Sequence, residues 1–190
     1  MITENTTRDE QLNTKLSKNS TIKESQFGSG YLTVIKNAGK SNEEVICKDV
    51  HNVLTAEGTA WVHDQCYIDN SGQTGGARYI GLSNDGSFTP DRDDDRASWE
   101  AVEENSNGLV RANADSAVFN AGVSSTYIAT STIVKTFTCD TGAVAGIRVS
   151  SLLNNTRASG TSILVHSATF TSVDLEVDDT LQVTWVITLY

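Results

Sequence analysis

Residues 180–190 read TLQVTWVITLY. Leu181, Val183, Trp185, Ile187 and Leu189 alternate with Gln182, Thr184, Val186, Thr188 and Tyr190, and a period of two sends alternate side chains to opposite faces of a strand. The first set is expected in the core, the second against solvent or a neighbouring subunit. Val186 and Tyr190 interrupt the polar face, so another chain is expected to cover them. A strand of this kind implies a sandwich or barrel whose other strands are laid down first and closed by this one.

Working back from it, residues 108–112, 117–121, 127–139, 143–153 and 161–173 also read as strands, with turns at 140–142, 154–160 and 176–179. Phe137 joins the expected core. Several of these runs exceed the usual five or six residues, which fits strands that bend between two sheets. Nearer the start, 31–36 and 44–50 form a hairpin around the turn-rich 37–42, and RYIGLS at 78–83 places Tyr79 and Gly81 on one face and Ile80 and Leu82 on the other. Asn52 is a candidate N-cap for a helix over 53–65 that turns Leu54, Trp61 and Val62 to the core, weakened by about 1 kcal/mol at Gly58. The glycine-rich 69–77 lacks the Lys-Ser/Thr ending of a phosphate loop and reads as a connection. The fold class is mainly β: an antiparallel, jelly-roll-like sandwich over residues 31–190, with one short helix.

Residues 1–30 differ in kind. They hold four acidic and four basic residues and few apolar ones, chiefly Leu12, Leu16, Ile22 and Phe27. Such a segment cannot be ordered by a core of its own. It is expected to be an extended arm lying on a neighbouring subunit, with those four side chains, Val186 and Tyr190 as assembly contacts.

Composition narrows the partners. The 190 residues carry a net charge of -10, hydrophobic residues make up 38% and charged residues 20%. Phosphate recognition draws its affinity from clustered Lys and Arg, so nucleic acid is not an expected partner. No apolar run is long enough for a spanning helix, and the start has no basic-then-apolar export signal, so neither membrane nor secretion is expected. Cys47, Cys66 and Cys139 are widely spaced and read as free thiols of a reducing cytoplasm, with a Cys47–Cys66 bridge or an intermolecular disulfide as the alternatives. His51, His63 and His166 are isolated.

Charge is concentrated in residues 84–107, where eight acidic and two basic residues put -6 of the -10. Asp91, Asp93, Asp94 and Asp95 are the calcium candidates, since that ion takes six to eight hard oxygens. The EF-hand glycine and terminal glutamate are missing and Arg92 and Arg96 are interleaved, so a solvated, salt-bridged loop is the expectation and no cofactor is assigned. Glu100 with Glu103 or Glu104 is the conceivable acid/base pair of a glycan hydrolase; charged surface is the expected fate of these residues. Nucleophile elbows, Cys–His pairs by motif and HExxH are missing from the sequence, and no enzyme activity is expected.

Four stretches carry a family resemblance: HNVLTAEGTAWV after the first hairpin, YIGLSNDGSFTPDRDDDR, IVKTFTCDTGAVAGI, and TSILVHSATFTSVDLEVDDTLQVTWVITL. Together they resemble a family of small structural proteins of tailed phages and tailed archaeal viruses, the tail-fibre-like or minor virion proteins. The resemblance spans residues 31–190. It departs at Arg148-Val149-Ser150-Ser151-Leu152-Leu153-Asn154, where the family's Glu-Ala-Gly-Leu-Phe-Asn survives only as Leu and Asn. It implies a repeated virion component of tail, tail tip or fibre attachment, made in the host cytoplasm, with no activity or cofactor, whose partners are copies of itself and other virion proteins. The alternatives are a capsid-surface decoration protein and a host-surface carbohydrate-binding module using Trp61, Trp99 or Tyr127 as exposed stacking platforms.

Overall fold

The computed structural model describes residues 29–55, 57–58, 76–120, 129–157 and 160–189. Its elements, in chain order, are β1 (Ser29–Lys36), β2 (Glu44–His51), β3 (Val53–Leu54), β4 (Tyr79–Ser83), α1 (Arg96–Val102), β5 (Ala112–Asn113), β6 (Ser116–Asn120), β7 (Ala129–Thr138), β8 (Val144–Leu153), β9 (Leu164–Leu175) and β10 (Thr180–Leu189). They form two antiparallel five-stranded sheets, β2-β1-β10-β7-β6 and β3-β9-β8-β4-β5, stacked as an open β-sandwich.

β10 is the central strand of the first sheet. It pairs with β1 on one side, from Ser29↔Thr188 to Lys36↔Leu181, and with β7 on the other, from Leu189↔Ala129 to Thr180↔Thr138. Leu181, Val183 and Trp185 are fully buried, and Ile187 is partly buried against the same core. They meet Leu32 and Val34 of β1, Ile133 and Phe137 of β7, and Ile80, Leu82, Leu152 and Ala168 of the opposite sheet. Alternation thus does in space what it does in sequence: each inward residue adds its apolar area, at about 25 cal/mol per Å² buried, to one shared core. The side chain of Leu189, all of Tyr190, Trp61 and the arm residues Leu12, Leu16, Ile22 and Phe27 lie outside the described residues.

Three local expectations are corrected. A helix does not start at Val53, because Val53 and Leu54 form β3 and pair with Ser167 and His166 of β9. Helical backbone is described at Glu57 and Gly58, and 59–65 lie outside the described residues. Residues 108–112 are not a strand: Asn107 and Gly108 both take positive φ, 51° and 79°, and the turn they make delays pairing until Ala112. The acidic segment is not all loop, since it contains α1. Its N-cap is Asp95, whose carboxylate accepts the Ser98 backbone N–H at 2.8 Å while Ser98 Oγ accepts from the Asp95 N–H at 3.0 Å. That reciprocal capping satisfies donors that a helix start otherwise leaves unpaired.

α1 changes the second sheet. Its Trp99 is fully buried and packs with Val149, Leu153 and Leu164 as a second, smaller core, flanked by Tyr79, Phe88 and Val102. Ile80, Leu82 and Leu152 point instead into the main core. The middle of this sheet is therefore covered on both faces, which is why β4 is buried from Ile80 through Ser83.

Candidate functional site

The acidic segment concentrates most of the chain's chemistry, and its carboxylates do several different things. Asp91 Oδ1 accepts the Asp93 N–H at 3.0 Å, and Asp94 Oδ2 accepts the Asp91 N–H at 2.7 Å. With Asp95 committed to the helix cap, one oxygen of each of these three carboxylates accepts a backbone amide. Among the described residues, no group of three or more His, Cys, Asp or Glu converges as a metal site.

Glu100 and Glu103 are one turn apart on α1 and its C-cap, and they turn inward, against the expectation of charged surface. Glu103 is fully buried. Arg111 Nε donates to its Oε1 at 2.7 Å and Arg111 Nη2 to its Oε2 at 2.8 Å, while Trp99 Nε1 donates to Oε1 at 2.9 Å. Arg157 adds an ion pair at 3.3 Å. Glu100 pairs with Arg96 at 3.2 Å and Arg111 at 3.4 Å. Arg111 reaches onward to Ser162 Oγ at 3.0 Å. Burial of a carboxylate is tolerated only when charge and hydrogen bonds are both answered, and here they are. The two carboxylates are thus a latch that fastens α1 across the second sheet. Sequence reasoning overlooked Arg111; its signal was a lone arginine within the strand-like GLVRA, eight residues after Glu103.

The latch also decides the fate of Trp99. Its ring is buried, edge-on to Phe88 at 5.6 Å, with its N–H spent on Glu103. It presents no platform to a sugar. Gly81 makes the fit possible, because a Cβ there would meet Glu103 Oε1 and lie 3.1 Å from the Trp99 ring.

A second polar cluster lies between the sheets. Asn52, assigned by its sequence position to a helix cap, accepts the Gly30 N–H through Oδ1 at 2.7 Å and donates its own N–H to the Gly30 carbonyl at 3.0 Å. Its Nδ2 contacts His166 Nδ1. His166 stacks on Trp185 at 6.2 Å, and Trp185 Nε1 donates to Ser150 Oγ at 3.3 Å. Burial pushes the His166 pKa down to about 4, so the ring is neutral at physiological pH. The cluster ties β1 to β9 and β10 to β8 through the core. Cys47 and Cys139 are free thiols, Cys47 half-buried and Cys139 buried; burial raises the pKa of both. Cys66 and His63 lie outside the described residues, as does Tyr127.

Of the candidate assembly contacts, Val186 is described. It is half-buried on the outer face of the first sheet, opposite Tyr31 of β1 and Thr132 of β7. Where β2 faces the part of β9 that extends past its two-residue pairing with β3, a groove of about 280 Å³ is lined by Lys36, Val45, Ser172 and Asp174 among others. Lys36 Nζ bridges it, donating to the Asp174 carbonyl at 2.7 Å.

No family model, curated protein or solved structure matches this chain.

Proposed function

We propose that the chain is a repeated structural component of a virion, at the tail, tail tip or fibre attachment, and that it acts through subunit interfaces rather than by catalysis. The observation that carries this reading is the inward turn of the acidic segment. Glu100, Glu103 and Trp99, the groups a hydrolase or a glycan-binding module would present to its ligand, are consumed in fastening a helix to a sheet. Chemistry spent internally supports a scaffold. The strand patterns quoted for the tailed-virus family support the same reading, as does an arm too poor in apolar residues to order itself. Ser29 and Gly30, expected in the arm, belong to β1 and pair with Thr188 and Ile187 of the same chain, so on this reading it is residues 1–28 that lie on a neighbouring copy, and each copy buries a segment that its own core cannot hold.

The test is deletion of residues 1–27, followed by measurement of mass in solution and of incorporation into particles. Loss of incorporation with the sandwich still folded is the expected result. Unchanged assembly overturns the arm's role. Imaging of intact particles locates the protein, and density on the capsid surface in place of the tail replaces the first location with surface decoration.

A further inference from the structure

Across four strands of the first sheet, β1, β10, β7 and β6, the outer face is unlike the rest of this acidic molecule; the fifth strand, β2, borders it with Glu44, Lys48 and Asp49. Tyr31, Val186, Thr132 and Val118 lie in one row across β1, β10, β7 and β6, and Thr33, Thr184, Val134 and Ser116 in the next. None of the eight is buried: Ser116 and Val118 are exposed, and the other six are half-buried. The charged residues of these four strands are Lys36 and Lys135. Both have the opposite parity, and both are drawn to the rims, Lys36 by Asp179 at 2.8 Å and Lys135 by Asp115 at 2.7 Å. The four-stranded face is therefore uncharged in a chain whose net charge is -10.

We infer that this face is a self-association surface whose occupant is the same face of a second copy. Charge selects the occupant. Two molecules that each carry -10 repel through most of their surface, and a neutral face is where they approach at least electrostatic cost. Size places the face at the small end of stable interfaces. Four strands about 4.8 Å apart, rising about 3.3 Å per residue, make a face of roughly 500–600 Å² before side-chain corrugation. Stable interfaces take about 600–1,000 Å² from each partner. Shape agrees as well, because rows of β-branched Thr and Val on two twisted sheets interdigitate at a spacing of about 10 Å. One face meeting itself across a two-fold axis closes the pair without leaving an open end. Threonine hydroxyls keep the face wettable, so the separated copy stays soluble and the association is reversible.

This inference deepens the assembly reading and rests on it. Sedimentation velocity of the full chain over a range of concentrations is the test, with Thr184→Lys and Val186→Lys as face variants and Ala101→Lys, on the exposed side of α1, as control. Circular dichroism and thermal melting establish that each variant is folded. The wild type and the control are expected to dimerise with rising concentration, and each face variant to dissociate at least about tenfold more readily, since the two-fold relation buries the added, unpaired charge twice in one interface. A folded face variant that dimerises like the wild type overturns the inference. So does a wild type that stays monomeric yet enters particles, a result that leaves the assembly reading standing. A wild type that dimerises through the face but is absent from particles supports the inference and overturns the virion role alone.

Discussion

Arg111 meets Glu103 side-on, two parallel hydrogen bonds of 2.7 and 2.8 Å joining a guanidinium and a carboxylate whose side chains are both fully buried. A pair so placed is weak evidence of net stabilisation, because removing both charges from water offsets most of their attraction. Removing one partner is another matter. Arg111→Met leaves Glu103 buried with only the more distant Arg157, and is expected to cost about 3–5 kcal/mol. Glu103→Gln in the same chain removes the stranded charge and keeps an acceptor for Trp99 Nε1, so the double variant is expected to recover part of that loss. Urea unfolding midpoints of the three proteins measure it. A double variant no more stable than Arg111→Met would mean that the arginine's packing, not the pairing, is what matters.

Gly81 makes a sharper test of the same region. Its place in β4 lies beneath Trp99 and Glu103, where a Cβ has no room. Gly81→Ala adds one methyl group and is expected to destabilise by about 1–3 kcal/mol, the usual cost of overpacking. Trp99 fluorescence should shift toward that of an exposed indole as the helix is pushed off. Gly146 has a positive φ of 76° and nothing near its missing Cβ, so Gly146→Ala should lose stability through backbone strain with no such spectral change.

His166 gives the molecule an acid-side weakness. Its ring is held at a pKa of about 4 in the fold against about 6.5 in an unfolded chain, because burial penalises the charged form. The unfolded state therefore binds the proton first. Stability is full above pH 6.5, falls as pH drops toward 4, and levels off below, a loss on the order of 3 kcal/mol. Unfolding free energies at pH 7, 5.5 and 4 measure the slope. His166→Gln is expected to be less stable at pH 7 yet to lack that part of the pH dependence; an unchanged slope would assign it to other groups.

What the sequence made legible follows from which signals are local. The alternation of β10 is a local signal, because a strand with one buried face must repeat every two residues whatever its partners are. Phe137 and Trp185 could be assigned to the core for that reason. The acidic segment misled for an equally physical reason. Eight carboxylates in residues 84–107 look solvated until a distant arginine answers one of them, and Arg111 and Arg157 are brought to Glu103 by tertiary structure alone. A local sign of the helix was nonetheless there: Asp95 three residues before Ser98, with Trp99 and Val102 spaced to share one face. Asn52 shows the opposite failure. A good cap residue before an apolar run suggested a helix, and pairing of Val53 and Leu54 with β9 overrode it. The uncharged face required register, since it is the pairing Tyr31↔Val186↔Thr132↔Val118 that puts separate polar and apolar residues into one row.

The corner where β1 ends and β10 begins carries the last prediction. Asn37, with a φ of 53°, donates through Nδ2 to Asp179 Oδ1 at 2.9 Å and accepts the Thr180 N–H through Oδ1 at 2.9 Å. Lys36 closes the corner with its ion pair to Asp179 at 2.8 Å. The Lys36 hydrogen bond first, and Asn37 after it, pull the Asp179 pKa down to about 2 from 3.8. A lowered carboxylate pKa stabilises the fold above the unfolded value and loses that contribution as pH falls through the folded one, so the window runs from pH 3.8 down to about 2. Asp179→Asn is expected to cost about 1.5–3 kcal/mol at pH 6, as loss of a charge-assisted hydrogen bond does. The gap between wild type and variant should narrow at pH 2, where the wild-type carboxylate is itself becoming protonated. Urea midpoints at the two pH values decide it. An equal gap at both would show that the corner is held by geometry around Asn37 and not by the charge on Asp179.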